Sequence, residues 1–317
     1  MKSEKIIGIF GGTGFLGHSI VQQLAGEGYR IKIITRHPES AYDLKLFGSV
    51  GQITPFFCDY SDNSIQNAVE GCDFMINLIG ILYQRRKNSF ERAHVELPCQ
   101  IAKACDEKDV QRFIHVSALG CDTSESKYAQ SKLKGEQAIQ EAYSDVTILR
   151  PSVVFGPGDN FFNMFAKLSA FLPALPLIGG GKTKFQPVYV EDIADAVSNI
   201  LKDTKNTYAG EVYELGGPDI VTFKEIYEIL LAETNRTRAL VPVPWGIAKI
   251  QAGVMGLLPT PPLTLDQVKS LKTDNVVSAG VKTLQDLGVE ATSMDAILPT
   301  YLKTYRRGGK FADKKAV

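Results

Sequence analysis

The stretch KIIGIFGGTGFLG, residues 5–17, decides the fold. Its first six residues form a β-branched run that predicts a strand, and the periodic residues 18–28 predict a helix. Glycines on a strand-to-helix turn let a dinucleotide pyrophosphate approach the backbone and the first N–H groups of the helix. We therefore expect a dinucleotide site here, with a ligand-free tight turn as the alternative. The predicted contacts are Gly11, Thr13, Gly14, Phe15, Leu16 and Gly17.

The same alternation of strand and helix continues outward from this turn. Apolar runs predict further strands at residues 30–35, 53–57, 73–79, 112–117 and 146–150, and periodic stretches predict helices at 61–70, 90–108 and 127–143. Nearly all-apolar strands between helices are typical of a parallel sheet that is covered on both faces. The predicted class is therefore α/β: a doubly wound parallel sheet, or Rossmann fold, with a smaller C-terminal cap domain.

Prolines break this rhythm after residue 150. A helix opened by Asp192 and a strand at 211–215 are expected to return to the sheet. We therefore predict a nucleotide-binding Rossmann domain at residues 1–157 plus 183–216. Residues 158–182 and 217–317 would form a smaller substrate or docking domain that ends in a mobile basic tail.

The composition excludes several classes of function. Lys plus Arg and Asp plus Glu both number 35 in 317 residues, so no global field attracts a nucleic-acid backbone. The four histidines lack metal-ligand spacing, and the five cysteines form no C-x-x-C pair. No apolar stretch reaches the roughly 18 residues of a membrane helix, and the first strand begins too early for a signal peptide. We expect a cytoplasmic protein with no nucleic-acid or metal partner.

Two residues bear on the choice of cofactor. Arg36 stands at the end of the second strand, where an NAD-type fold carries a carboxylate for the ribose 2′-hydroxyl. A guanidinium there would pair with the 2′-phosphate of NADP(H), although a solvated surface arginine is the alternative. Asp59 follows the third strand and could contact the adenine edge or serve as a turn-capping residue.

Polar residues at the carboxyl ends of later strands suggest chemistry. Asn77 and Gly80 close the fourth strand beside the crevice where cofactors lie, with ordinary loop geometry as the alternative. Tyr128 and Lys132 share one helix face, so the ammonium could favour the phenolate. Ser117 could hydrogen-bond a substrate carbonyl, or simply cap a loop. Ser117, Tyr128 and Lys132 are therefore the predicted catalytic residues.

With the glycine turn, the Tyr128-x-x-x-Lys132 pair, RPS at 150–152 and FGPG at 155–158, the chain resembles the atypical or extended short-chain dehydrogenases/reductases over about residues 5–216. FQPVYVED at 185–192 and the tail from 241 to 307 are similar to the bacterial branch of the nucleotide-binding accessory subunits of respiratory complex I.

This resemblance implies NADP(H) as the preferred cofactor, with NAD(H) as the alternative. Gly11, Gly14, Gly17, Arg36 and Asp59 would bind it, and Tyr128, Lys132, Pro151 and Val153 would lie toward its nicotinamide half. Related epimerases carry an asparagine where Val153 stands, which disfavours a nucleotide-sugar substrate. Many extended members also have an asparagine at the position of His94, so we expect His94 to be a packed or surface histidine rather than a proton relay.

Two functions remain open at this stage. The first is a scaffold role, in which bound NADP(H) stabilises an accessory or assembly subunit of NADH:ubiquinone oxidoreductase. The second is an active NADPH-dependent reductase or dehydrogenase on an apolar carbonyl or a quinone-type or isoprenoid substrate. The apolar segment 239–263 suits an apolar partner, a membrane surface or a quinone-like lipid, unless it is cap-domain core. The expected location is the cytoplasm, with peripheral attachment to the inner membrane on its cytoplasmic side, or the matrix side in mitochondria.

Overall fold

The computed structural model describes residues 5–85, 88–256, 258 and 261–309. Its strands are β1 Ile6–Phe10, β2 Arg30–Thr35, β3 Ile53–Phe57, β4 Phe74–Asn77, β5 Arg112–Val116, β6 Thr147–Pro151, β7 Val154–Phe155, β8 Ala174–Ile178, β9 Lys184–Phe185, β10 Val188–Tyr189, β11 Val212–Leu215, β12 Val221–Thr222 and β13 Ala239–Val243. Its helices are α1 Phe15–Gly26, α2 Asp62–Val69, α3 Leu97–Glu107, α4 Lys127–Ala142, α5 Phe162–Phe171, α6 Val190–Lys202, α7 Phe223–Glu233, α8 Trp245–Met255, α9 Leu265–Ser270 and α10 Met294–Leu302.

Seven parallel strands form the central sheet in the order β11-β6-β5-β4-β1-β2-β3. The chain runs from β1 to one edge of the sheet and then returns to the other side of β1 with β4. Such a reversal opens a crevice at the carboxyl ends of the strands, where ligands bind in open α/β sheets. The predicted doubly wound fold is confirmed. The predicted strands and helices of the first 151 residues agree with the observed ones to within a few residues.

Alternation along the strands divides the core into two layers. Ile7 and Ile9 of β1 face one cluster with α1 and α6, whereas Phe10 faces a second cluster with α2, α3 and α4. A third apolar cluster lies among α5, α7 and α10. A fourth and smaller cluster joins α8 to α9. The two layers on the sheet hold its carboxyl edge, and so the crevice, in a fixed geometry.

The helix predicted at 90–108 begins as a π-helical turn, Glu91–Glu96, before α3. Pro98 lacks an N–H group, so the carbonyl of His94 cannot accept the usual α-helical hydrogen bond from it. Helix α4 packs onto this carbonyl: a Cβ added to Gly135 would lie 1.8 Å from His94 O. The π turn therefore sets the position of His94 against the helix that carries Tyr128.

The structure departs from the predicted domain division in one stretch. Leu284, Leu287 and Val289 are buried in the first core cluster, with β1 and α6, although the sequence division places them in the smaller domain. A short apolar stretch does not indicate which core it will join. The predicted basic tail lies outside the described residues from residue 310 onward. Among the described helices, none is long and apolar enough to cross a membrane.

Candidate functional site

The glycine turn requires glycine at two of its three motif positions, Gly11 and Gly17, for different reasons. Gly11 has a φ of 77°, and a Cβ there would lie 3.0 Å from the carbonyl carbon of Leu78. Gly14 is exposed and precedes the first residue of α1 without a side-chain cap. A Cβ on Gly17 would lie 2.4 Å from Gly12 O, so its absence allows α1 to pack against the turn. The N–H groups of the first turn of α1 remain available for an anion.

The residues between these glycines differ in their roles. Thr13 is half-buried beside exposed Gly14. Phe15 and Leu16 pack against the third core cluster, and the Phe15 ring is 3.5 Å from the position of a Cβ on Gly156. The side chains of Phe15 and Leu16 therefore fasten the start of α1 to the C-terminal part of the chain.

Arg36 lies on an aromatic ring that the sequence analysis missed. Its side chain is exposed, and its guanidinium carbon is 5.2 Å from the centroid of the Tyr60 ring. Arg92, in the π turn, donates from Nη2 to the carbonyl of Tyr60 at 2.8 Å. The contact with Tyr60, which includes a side-chain hydrogen bond, limits the rotamers of the guanidinium, and the other N–H groups can bind an anion. An aromatic residue directly after Asp59 was the signal that could have indicated this contact.

Of the two roles predicted for Asp59, contact with the adenine edge and capping of a turn, the structure shows the capping contacts. Its Oδ1 accepts hydrogen bonds from the Ser61 N–H at 2.9 Å and the Ser61 hydroxyl at 2.6 Å. These hydrogen bonds from Ser61 lower the pKa of the Asp59 carboxyl. Its side chain is exposed, and its carboxylate shapes the loop after β3 through Ser61, with a further side-chain hydrogen bond from Ser64.

Asn77 is buried and its amide group is used within the protein. Its Oδ1 accepts from the N–H of Ile79 at 3.1 Å, and its Nδ2 is 3.0 Å from Nδ1 of His115. Burial lowers the pKa of His115, so that imidazole is neutral and accepts the amide hydrogen. Asn77 therefore shapes the loop that contacts Gly11, which is the loop-geometry alternative of the sequence analysis.

Gly80, predicted beside the crevice, meets Lys132 at the carboxyl end of β4, a contact that the sequence did not predict. A Cβ on Gly80 would lie 3.4 Å from Lys132 Nζ. Lys132 is 4% exposed, and its Nζ donates to the carbonyl of Val116 at 3.1 Å. Burial lowers the pKa of its ammonium to about 8. Two of the three ammonium hydrogens remain for a ligand that approaches along the Gly80 backbone.

Ser117 follows β5 and carries a buried hydroxyl that forms no hydrogen bond within the described residues. Its backbone N–H donates to Leu149 O at 2.7 Å, which ties it to β6. Since buried polar atoms are nearly always paired, an unpaired hydroxyl at a crevice suggests a ligand or water partner. The loop-cap alternative would have required a protein partner for this hydroxyl.

Tyr128 differs electrostatically from the prediction. Burial raises the pKa of its phenol to about 12, with Cys121 acting in the same direction. The spacing to Lys132 predicted a lowered pKa, but the lysine ammonium binds a backbone carbonyl instead. The phenol is therefore protonated at neutral pH and can donate a hydrogen bond.

His94 is a packed histidine, in agreement with the prediction. Its Nε2 accepts from the N–H of Ile81 at 3.1 Å, and its Nδ1 is 2.8 Å from the Ser131 hydroxyl. An accepting Nε2 places the single ring proton on Nδ1, which donates to Ser131. Burial lowers the pKa of His94 to about 3. The ring is 5.4 Å from the Tyr128 ring at 88°, so it supports Tyr128 without exchanging protons.

Pro151 and Val153 lie at the carboxyl end of β6, next to the Ser117 loop. The carbonyl of Pro151 accepts from the N–H of Leu119 at 2.9 Å, and that of Val153 accepts from Val188 at 3.0 Å. Their backbone carbonyls are thus paired within the protein. What Pro151 and Val153 offer to the crevice is apolar surface.

A second residue that the sequence analysis missed is Asp266, at the start of α9. Its Oδ1 accepts from the N–H of Lys127 at 2.7 Å and its Oδ2 from the N–H of Tyr128 at 2.9 Å. These are the first two residues of α4. The capping box of Thr264 and Gln267 is the signal that could have indicated α9, but it does not show which element Asp266 contacts.

In helix α8 the small apolar residues are buried and the large ones are exposed, which is the opposite of the usual arrangement. The alanines at 248 and 252 are buried against α9, whereas large aliphatic side chains face outward. We call the large outward-facing side chains of α8 the docking face, and they are Ile247, Ile250, Val254 and Met255. A monomeric soluble protein seldom exposes such a set together. Of the two interpretations of segment 239–263, this favours docking for α8, while β13 pairs with β8.

The candidate site follows the carboxyl edge of the sheet, with the start of α1 and Arg36 at one end and a group of buried polar side chains at the other. Helix α1 and Arg36 suit phosphate groups, and Gly80, Lys132, Ser117 and Tyr128 suit a polar ring system with hydroxyl groups. No group of three potential metal ligands occurs in the part of the chain that the structure describes.

Comparison with known proteins gives consistent matches. The sequence model of the NAD dependent epimerase/dehydratase family matches residues 7–216. The "NADH dehydrogenase [ubiquinone] 1 alpha subcomplex subunit 9, mitochondrial" of Arabidopsis thaliana is 38% identical over 317 residues, covering 95% of this chain and 78% of that protein. Its Mus musculus counterpart is 35% identical over 305 residues, covering 94% and 80%.

Solved structures show the same fold at low identity. The triphenylmethane reductase of Citrobacter sp. superposes with a TM-score of 0.76 at 21% identity, over 94% of this chain and 99% of that one. The NADPH-dependent quinone oxidoreductase of Escherichia coli, complexed with NADPH, gives 0.72 at 18% identity, over 90% and 96%.

Proposed function

Because this chain belongs to the NAD dependent epimerase/dehydratase family, we propose that it is an NADP(H)-binding accessory subunit of a respiratory NADH:ubiquinone oxidoreductase. The family accounts for the binding of a nicotinamide cofactor. The preference for NADP(H), the residues that bind it and the respiratory partner are the parts that we propose. Residues 1–157 with 183–216, joined by the buried stretch around Leu287, would form the nucleotide-binding unit.

The observation that carries the cofactor assignment is the geometry of the glycine turn together with Arg36. The Gly11 backbone touches the loop after β4, and Gly17 brings α1 against the turn, so the helix N-terminus points its free N–H groups at the crevice. Arg36 follows β2 with no neighbouring carboxylate in the sequence Thr35-Arg36-His37. A guanidinium there favours a 2′-phosphate over a free 2′-hydroxyl.

The nicotinamide half would lie toward Gly80, Lys132, Ser117 and Tyr128. Lys132 has two ammonium hydrogens for ribose hydroxyls, and protonated Tyr128 can donate one more hydrogen bond. The unpaired Ser117 hydroxyl is buried at the same end. The nicotinamide ring supplies a hydride donor or acceptor when it is bound.

The respiratory partner is proposed from two independent observations. Relatives named as subunits of mitochondrial NADH dehydrogenase match at least 94% of this chain. The docking face of α8 is an aliphatic surface with one charged residue of its own helix, Lys249, and such a surface suits an apolar protein or a membrane interface. We place the protein at the cytoplasmic face of the inner membrane, or the matrix face in mitochondria, in contact with the respiratory complex.

Affinity purification from the native host, without exogenous nucleotide, tests this function. We expect subunits of the respiratory complex to co-purify and NADP(H) to be released when the sample is denatured. Calorimetry on the recombinant protein then measures the affinities for NADPH and NADH. A folded protein that purifies alone and binds neither nucleotide would refute the proposal.

A second function is favoured by one observation. The Ser117 hydroxyl is buried with no hydrogen-bond partner among the described residues, and Lys132 contacts the adjacent Val116. Together with Tyr128, this is the constellation of a reductase that hydrogen-bonds a substrate carbonyl. In that case the chain would reduce an apolar carbonyl or quinone-type substrate with NADPH, and Tyr128 would donate the proton. Turnover of a short-chain quinone that is lost in Tyr128→Phe, while NADPH binding persists, would favour this function over the scaffold role.

A further inference from the structure

We propose that Asp266 is a positioning residue of the nucleotide site: it holds the first turn of α4, and therefore Tyr128, from outside the central sheet. This inference rests on the proposed function, because it assigns Tyr128 to the nicotinamide half of the bound nucleotide. The residues that make the contact are 138 positions apart in the sequence.

The first turn of α4 depends on two capping groups. The Ser126 hydroxyl accepts from the N–H of Ala129 at 3.1 Å. The carboxylate of Asp266 accepts the two N–H groups before it, those of Lys127 and Tyr128. The first turn of α4 contains no acidic residue of its own. Asp266 therefore supplies both the missing hydrogen-bond acceptors and the negative charge that stabilises a helix N-terminus.

The capping contact fixes the direction of the Tyr128 side chain. Tyr128 is the second residue of the helix, so its backbone moves with the first turn. Its ring is packed edge-on against Phe90 and His94, at 5.9 Å and 5.4 Å between ring centroids. A frayed first turn would remove the ring from this aromatic pair and its hydroxyl from the crevice. Lys132 lies one turn further into the helix and is held separately by Val116 O.

Asp266 belongs to a segment that crosses the crevice side of the sheet. Eight residues further on, Asp274 Oδ1 accepts from the N–H of Lys184 at 2.8 Å. Asn275 then donates from Nδ2 to the carbonyl of Leu119 at 3.0 Å, in the loop after Ser117. Leu265, the neighbour of Asp266, is exposed. Through Asp266 and Asn275 the segment therefore contacts α4 and the loop after Ser117, whereas Asp274 contacts β9.

The test compares a whole nucleotide with its adenosine half. NADPH would reach Tyr128, whereas adenosine 2′,5′-bisphosphate would occupy only the end at the glycine turn and Arg36. We expect Asp266→Ala to weaken NADPH binding by about fivefold, the size of a lost helix cap, and to leave the affinity for the bisphosphate within twofold. Asp266→Asn keeps one acceptor oxygen, so its affinity for NADPH should lie between those of the wild type and of Asp266→Ala. It also serves if the alanine variant does not fold.

Asp274→Ala is the matched control. Asp274 lies in the same segment as Asp266, and its carboxylate accepts one backbone N–H from β9 and none from α4. Its removal should change neither the affinity for NADPH nor that for the bisphosphate. Equal weakening of both ligands in Asp266→Ala, or no weakening of either, would overturn the inference while leaving the proposed function in place. Failure of the wild-type chain to bind either ligand would overturn both.

Discussion

Replacing Arg36 by alanine is the sharpest test of the cofactor assignment. The side chain follows β2 directly, and its guanidinium rests on the Tyr60 ring at 5.2 Å. It contributes no packing to either core layer, because it is exposed. The substitution therefore removes a charge and its hydrogen-bond donors without opening a cavity. Any loss of affinity for NADPH reports on the 2′-phosphate alone.

The magnitude follows from the exposure of the guanidinium. Two unit charges about 4 Å apart interact by about 1 kcal/mol in bulk water and by about 4 kcal/mol near a protein surface. Solvent screening brings an exposed pair toward the lower value. We therefore expect Arg36→Ala to lose about 1.5 kcal/mol of binding free energy, which corresponds to roughly a tenfold increase in the dissociation constant for NADPH. NADH lacks the 2′-phosphate, so its dissociation constant should change by less than about twofold.

Isothermal titration calorimetry of both nucleotides, at fixed ionic strength, measures these constants. Arg30→Ala is the matched control because Arg30 is an exposed arginine at the opposite end of β2. Six residues of strand, roughly 20 Å, separate it from the proposed phosphate site, which is more than two Debye lengths in physiological salt. Equal losses in the two variants, or equal losses for NADPH and NADH in Arg36→Ala, would refute the assignment of the 2′-phosphate.

Three further predictions test the packing, the buried histidine and the docking face. Gly17→Ala should lower the free energy of unfolding by about 2 kcal/mol in urea titrations, because its Cβ would meet backbone at 2.4 Å, whereas Gly26→Ala, with open space, should be neutral or stabilising by up to about 1 kcal/mol. The pKa of His94, about 3 against the ordinary 6.5, means that the unfolded chain binds more protons between these values. Its contribution to stability is full above pH 6.5 and is lost as the pH falls toward 3, so His94→Gln should flatten the acid side of the stability profile measured by denaturant titration. Ile250→Glu, at a side chain that is 71% exposed, should abolish sedimentation with anionic lipid vesicles at unchanged melting temperature, while Ile220→Glu, the same substitution at an exposed isoleucine outside α8, should retain most of it. Equal effects of the two glutamates would contradict the docking face.

Local patterns in the sequence were sufficient for the fold and for one end of the site. The strand, glycine turn and helix of residues 5–26 could be predicted because each depends on residues close to one another in the chain. The position of Arg36 after β2 followed from the same periodicity. The rule that the carboxyl ends of parallel strands share one edge placed Gly80 beside the crevice, but its contact with Lys132 is visible only in the structure.

The polar side chains of the site were predictable in position but not in direction. Asn77 follows β4 as expected, yet it turns inward because a neutral His115 on the adjacent strand accepts its amide hydrogen. Asp59 bonds to Ser61 instead of leaving both oxygens for a ligand. In both cases the nearest partner within hydrogen-bond distance decided the direction, and periodicity contains no information about that partner.

By itself, the sequence determined a doubly wound parallel sheet, a glycine turn suited to a dinucleotide and the residues available at the sheet's carboxyl edge. Tertiary structure alone decided the partners of those residues: Tyr60 under Arg36, Val116 for Lys132, and Asp266 at the start of α4. It also decided that α8 buries its alanines and exposes its large aliphatic side chains. The physical reason is that hydrophobic periodicity reports burial along one element, whereas hydrogen bonds, ring contacts and desolvation depend on which distant segment fills the neighbouring space.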